Sequence, residues 1–235
     1  ADSYKAPNII KFKRENITSK IIILAKKKYA LEIINSEGDS FVDKPKIKIK
    51  GIEIIKTDTS LFSRKRLREL VDYIFETEDK DKVLSRIAEI KEEFMKQDIF
   101  DIAISKNAKE YTKWCKPTEE YIKEGMDYKL RIPMHIKAAQ NYNYFVKRNN
   151  LPYQEIANGN KVKFVYVFEN NLLNTYVIGF MGKFPEEFQK EFNIDYETQW
   201  EKSFVSIIQR FFDVLGWGKI NSDNLCLDEL WELCQ

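Results

Sequence analysis

The sequence predicts an α+β protein: a small antiparallel sheet followed by a mainly helical domain that carries a small β insertion. Three observations predict it. Across residues 26–53 apolar and polar side chains alternate with a period of two. From Leu61 the period changes to about 3.6 and holds through most of the remaining chain. Strand-like alternation then returns briefly at residues 161–168 and 174–180, introduced by the turn dipeptide Asn158-Gly159. The implied division is 1–51 for the sheet, 52–223 for the helical domain and 224–235 for a tail.

Residues 1–7 read as a loose lead-in, and Lys11-Phe12-Lys13-Arg14-Glu15-Asn16-Ile17 as the start of a basic strand. Residues 21–25 form an apolar run with the length of a buried strand. The run is far shorter than the roughly 20 residues that span a bilayer. Next come Lys26-Lys27-Lys28-Tyr29-Ala30-Leu31, an alternating segment over 30–34, and a turn at Asn35-Ser36-Glu37-Gly38-Asp39. The second strand closes with Lys46-Ile47-Lys48-Ile49-Lys50-Gly51-Ile52-Glu53. From Lys44 to Lys50 every second residue is lysine, so a strand puts four ammonium groups on one face and Ile47 and Ile49 on the other. Such a row repels itself unless an anion lies opposite, and a duplex phosphate backbone is one. The plainer explanation is an edge strand guarded by charge against aggregation.

Leu67, Leu70, Val71 and Ile74 make one helical stripe, and Val83, Ile87, Ile90 and Phe94 make another. Two helices therefore divide within 77–81. Ser63-Arg64-Lys65-Arg66-Leu67-Arg68 leads the first, its cations directed to a duplex or to solvent. A short helix is predicted over 107–114, then a polar loop through 117–125, then a helix opening at Ile132-Pro133-Met134-His135-Ile136-Lys137-Ala138-Ala139 and running to about residue 150. His135 is the only histidine, so it makes no metal site by itself and serves packing or capping. Trp200, Phe204, Ile207, Ile208, Phe211 and Leu215 form the strongest stripe of the chain, and Gly216 is placed to end it.

At 43% hydrophobic and 14% aromatic, the 235 residues suffice for a packed core rather than a disordered tail. The net charge of +2 hides an asymmetry. Residues 1–68 hold 17 Lys/Arg against 8 Asp/Glu, and the rest hold 22 against 29, a basic front and an acidic back. That pattern suits one surface offered to nucleic acid. Cys115, Cys226 and Cys234 show no metal-ligand spacing, and their odd number suits a reducing cytoplasm. No signal peptide opens the sequence, and no membrane partner is expected. With one histidine no Ser/His/Asp set can be argued from the sequence, and neither a Walker loop nor a dinucleotide fingerprint occurs.

The order Lys-Lys-basic-Tyr-Ala, then Lys-Gly-aliphatic-Glu about twenty residues later, resembles the palm-to-thumb junction of family B DNA polymerases. The resemblance is strongest to the replicative polymerases of T-even-type tailed phages, which would place the chain in an infected bacterial cytoplasm. The segment beginning at Lys11, the His-aliphatic-basic-small-small run at His135 and Gly159-Asn160-Lys161-Val162 follow in the same order. The resemblance runs from Lys11 to the last residue. It implies that residues 1–51 are the C-terminal piece of the palm and 52–223 the thumb. It further implies that Lys26, Lys27, Lys28, Tyr29, Lys48, Lys50, Arg64 and Lys137 contact primer–template duplex. Lys28 stands where arginine is commoner, keeping the charge without the planar fork. In the tail, Leu227, Leu230 and Trp231 fall at i, i+3 and i+4 and resemble a sliding-clamp-binding peptide. Trp231 stands where the phage tails have Phe, and four residues follow it.

The paired aspartates that hold the two metals of polymerases are absent: neither Asp-x-x-Ser-Leu-Tyr nor Tyr-Gly-Asp-Thr-Asp occurs, nor the fingers helix. The resemblance thus implies a duplex-gripping portion of a DNA-directed DNA polymerase with no catalytic residue and no cofactor of its own. Mg2+ is expected only with the missing catalytic part, an N-terminal polymerase portion that would act in trans. The alternative is a free-standing nucleic-acid-binding accessory module derived from a thumb. A neighbouring reading frame with the aspartate motifs would separate the two.

Overall fold

The computed structural model describes residues 13–114 and 132–221. The predicted loop at 117–125, the three cysteines, Lys11, Phe12 and the tail 224–235 lie outside them. The fold is α+β, as the alternating and helical periods indicated. The chain divides into two compact units, 1–52 and 53–235.

The first unit is an antiparallel sheet built on β1 (Asn16–Ala25), β2 (Lys28–Ser36), β3 (Asp39–Ser40) and β4 (Lys46–Lys50). β2 is central: β1 pairs along one edge, while β4 and the two-residue β3 share the other. Cross-strand pairing sorts the side chains into two faces. Ile22, Ala30 and Ile49 form one row and are buried. On the other face, Ile21, Leu31 and Lys48 form one row, and Ile23, Tyr29 and Lys50 the next. The apolar run of β1 is thus a strand, but it is buried on one face only, with Ile21 53% and Ile23 56% exposed. A run of β-branched residues does not reveal that its strand lies at an edge. The lysine row is shorter than expected. Lys44 lies in a bend ahead of Pro45, which has no N–H to give the ladder, so three lysines share the strand face.

The second unit opens with a short 3-10 turn, Glu53–Ile55, and two long helices, α1 (Leu61–Thr77) and α2 (Lys80–Met95). Ser60 caps α1 through its side chain, and Asp79 caps α2 by accepting from Asp81 and Lys82. Both predicted stripes are buried. The expected helix over 107–114 is only one turn, α4 (Tyr111–Trp114), because Asn107 ends a strand. That strand, β5 (Ile104–Asn107), follows the one-turn α3 (Ile99–Ile102) and pairs with β6 (Lys161–Tyr166), which pairs with β7 (Val177–Phe180). β5 was not foreseen, since four residues are too few to display a period.

Helix α5 (Met134–Arg148) packs closely on β7. A Cβ on Gly179 would come within 2.8 Å of the Ala138 carbonyl oxygen, so glycine at 179 and the small pair Ala138-Ala139 permit the approach. Beside them, Phe145, Phe184, Phe188 and Phe192 stack largely edge to face in the main core. Two buried amides tie the loops to this core. Asn143 accepts from the Ile156 backbone N–H at 2.7 Å and donates to its carbonyl at 2.8 Å. Gln199 accepts from Tyr166 N–H and donates to the Ile102 carbonyl.

The chain then forms α6 (Glu186–Glu191), α7 (Tyr196–Trp200) and α8 (Ser206–Leu215). Between α7 and α8 the helix widens into one π turn, Glu201–Val205, with Trp200 stacked on Phe204 at 4.2 Å. Gly216, in the left-handed conformation with φ 71°, ends α8. Leu215 is only half-buried, and Phe212 takes the core position instead. No described helix is long and apolar enough to cross a membrane.

Candidate nucleic-acid interface

Two residues, Lys26 and Lys27, make the turn between β1 and β2, and Ala25 pairs with Lys28 across it. Lys27 takes the left-handed conformation, φ 65°. That conformation costs a side-chain-bearing residue about 1–2 kcal/mol. Glycine or asparagine would adopt it more readily, so lysine at this point is held against its local preference.

Gly51 explains how the turn is held. It follows the last residue of β4 with φ 68°, and a Cβ built there would stand 2.0 Å from the Lys27 carbonyl oxygen. Only glycine lets the chain leaving β4 pass under the turn. Tyr29 pairs with Lys50 in the same ladder. The two basic segments, twenty residues apart in sequence, therefore meet at one end of the sheet.

The electrostatics separate these cations. Lys26, Lys27 and Lys50 are exposed, and no carboxylate of the described residues pairs with them. Lys48 donates to Glu15 at 2.7 Å, and this bond, with the charges of Lys48 and Lys50, holds the Glu15 carboxyl below its ordinary range. Lys46 sits over the Phe41 ring at 3.7 Å. Lys28 and Tyr29 are half-buried.

Arg64 lies in the first turn of α1, a half-buried cation where the helix dipole disfavours positive charge. Its neighbours are not all turned outward as expected. Arg66 is engaged by Glu69 at 2.7 Å and by Glu93, and Arg68 by Asp72 at 3.5 Å. Lys137 departs furthest from the sequence expectation. It is only 9% exposed, and its ammonium lies 3.9 Å from the centre of the Tyr176 ring. The signal was in the spacing, because Ile136, Ala139 and Gln140 are buried around it and the inner face of α5 is broad.

His135 is half-buried, and burial chiefly, with the charge of Lys106, lowers its pKa against the opposing pull of Asp58. Among the described residues no three His, Cys, Asp or Glu side chains are grouped to hold a metal. Leu227, Leu230 and Trp231 lie outside the described residues.

Sequence reasoning missed the roles of three residues, two of them at this surface. Gly51 was signalled by its place directly after a strand. Glu15 was not signalled, since its contact spans 33 positions. Arg210 is the third: it donates to Glu53 at 2.6 Å and so fastens the 3-10 turn that begins the helical unit to α8. Glu53, the acidic residue of the Lys-Gly-aliphatic-Glu segment, thereby has a structural task.

A sheet end carrying unpaired lysines and a left-handed lysine turn belongs to a class of surface suited to polyanions. The family model of DNA polymerase family B matches residues 2–215, and the chain belongs to that family. No curated protein matches it.

The Gly51 contact yields a direct expectation. Gly51→Ala should destabilise the protein on the order of 3 kcal/mol, combining left-handed strain with a backbone collision. Gly182→Ala, at the same φ of 68° but with nothing within 4 Å, should cost only the strain. Equal melting temperatures for the two variants would show that the turn is not wedged against Gly51.

Proposed function

We propose that this chain is the duplex-holding palm and thumb portion of a family B DNA polymerase of the T-even phage type. Residues 1–51 supply the palm piece and residues 52–223 the thumb. Lys26, Lys27, Lys28 and Lys50 meet the phosphates of primer–template DNA, with Tyr29 beside them and Lys48 behind. Arg64 offers a separate cation on the helical unit. Lys137, buried against Tyr176, is not included. The observation that carries this reading is the convergence of three unpaired lysines at the Lys27–Gly51 contact. The lysines of this face would meet phosphates rather than base edges, so binding is independent of sequence. Nucleotidyl transfer rests on metal-binding aspartates that this sequence does not contain, so the chain alone does not extend a primer.

The test is a titration of a primed duplex at several salt concentrations. Replacing Lys26, Lys27 and Lys28 with alanine should weaken binding and flatten the salt dependence by up to about three phosphate contacts, each worth a slope of roughly 0.9. The melting temperature should stay close to that of the native chain. Unchanged affinity in this variant would remove the turn from the interface.

The C-terminal residues support a second contact. Leu227, Leu230 and Trp231 are spaced to share one face of a helical turn, and short anchors of this kind take most of their affinity from one or two apolar side chains. We propose that they bind a sliding clamp. Leu230→Ala with Trp231→Ala should abolish clamp binding, measured by calorimetry with the cognate clamp, and leave duplex binding unaltered. A large fall in melting temperature would instead assign these residues to packing within the chain.

A further inference from the structure

Glu15 stands just ahead of β1, and its backbone carbonyl accepts from the Glu37 N–H at 3.1 Å, which fixes its position. From there its carboxylate reaches Lys48 at 2.7 Å. Both groups remain open to solvent, the glutamate 60% and the lysine 34% exposed. An ion pair so exposed contributes little to stability and is readily exchanged. The other acidic residues of this sheet that form ion pairs are directed elsewhere: Glu32 to Lys20 at 3.9 Å and Glu37 to Lys13 at 3.6 Å. Glu15 alone of the described carboxylates touches the lysine row. It also feels the charge of Lys50, the neighbouring lysine on the same face. The carboxylate therefore marks a place on this face that favours an anion.

We propose that Glu15 is a built-in competitor for the phosphate position at Lys48, tempering the affinity of the lysine face for nucleic acid. This rests on the duplex-binding reading of the same face. While Glu15 occupies Lys48, the cation is neutralised and releases no counterion on binding DNA. A duplex gains that contact only by displacing the carboxylate, so each binding event exchanges one anion for another. Lys26, Lys27 and Lys50 are free to make first contact, and Lys48 joins last. The arrangement holds the grip below its full strength, which suits a surface along which a duplex must move.

The test is the same duplex titration applied to Glu15→Gln, Lys48→Ala and the two combined, with a melting curve for each. Glu15→Gln should raise affinity several-fold at low salt and steepen the salt dependence by about one phosphate contact. Lys48→Ala should weaken binding less in the native background than in the Glu15→Gln background, where it cancels the gain. If Glu15→Gln binds as the native chain does while the triple lysine variant still loses affinity, the competitor role is wrong and the interface stands. If the triple lysine variant also binds normally, both fail. Equal losses from Lys48→Ala in the two backgrounds would likewise overturn the role of Glu15.

Discussion

The sheet unit depends on one close approach, the passage of Gly51 beneath the carbonyl of Lys27. A side chain at 51 would occupy the space of a backbone oxygen, which cannot rotate aside as a flexible side chain can. The contact fixes the left-handed lysine, sets the turn between β1 and β2, and brings the end of β4 to the same point. Like charges gathered this way oppose folding, and the buried row of Ile22, Ala30 and Ile49 must offset them. Local preference is given up at the turn, and apolar burial on the opposite face of the sheet supports it.

The helical unit is organised by a different constraint. Its core is phenylalanine-rich and closes around a helix that approaches a strand at Gly179. Buried amides then do what apolar contacts cannot, since they fix specific backbone groups. Asn143 and Gln199 each satisfy a donor and an acceptor of neighbouring segments, so their burial leaves no unmet hydrogen bond at those sites. Arg210 secures the entrance of the unit through Glu53. These side chains explain why a scaffold with several one-turn helices and short strands holds one arrangement.

Much of this was legible in the residues, and the failures have physical causes. The stripes of α1, α2 and α8 were clear because ten or more residues display a helical period. The four residues of β5 could not. The lysine alternation located β4 but ran one residue pair too far, because Pro45 lacks the donor a ladder needs. Lys26, Lys27 and Lys50 are exposed, as their charge leads one to expect. Lys137, named through the resemblance, is buried instead, its long stem letting the cation lie along an apolar face against an aromatic ring. Contacts such as Glu15 with Lys48 and Arg210 with Glu53 join residues far apart in the chain, and no local pattern encodes them.

Amide hydrogen exchange, with and without a primed duplex at low salt, tests the central claim most directly. Binding at the Lys27–Gly51 junction should slow exchange in residues 26–31 and 46–51, with the strands at 161–166 and 177–180 unchanged. Exchange in 26–31 and 46–51 that is the same with and without saturating duplex would contradict the account.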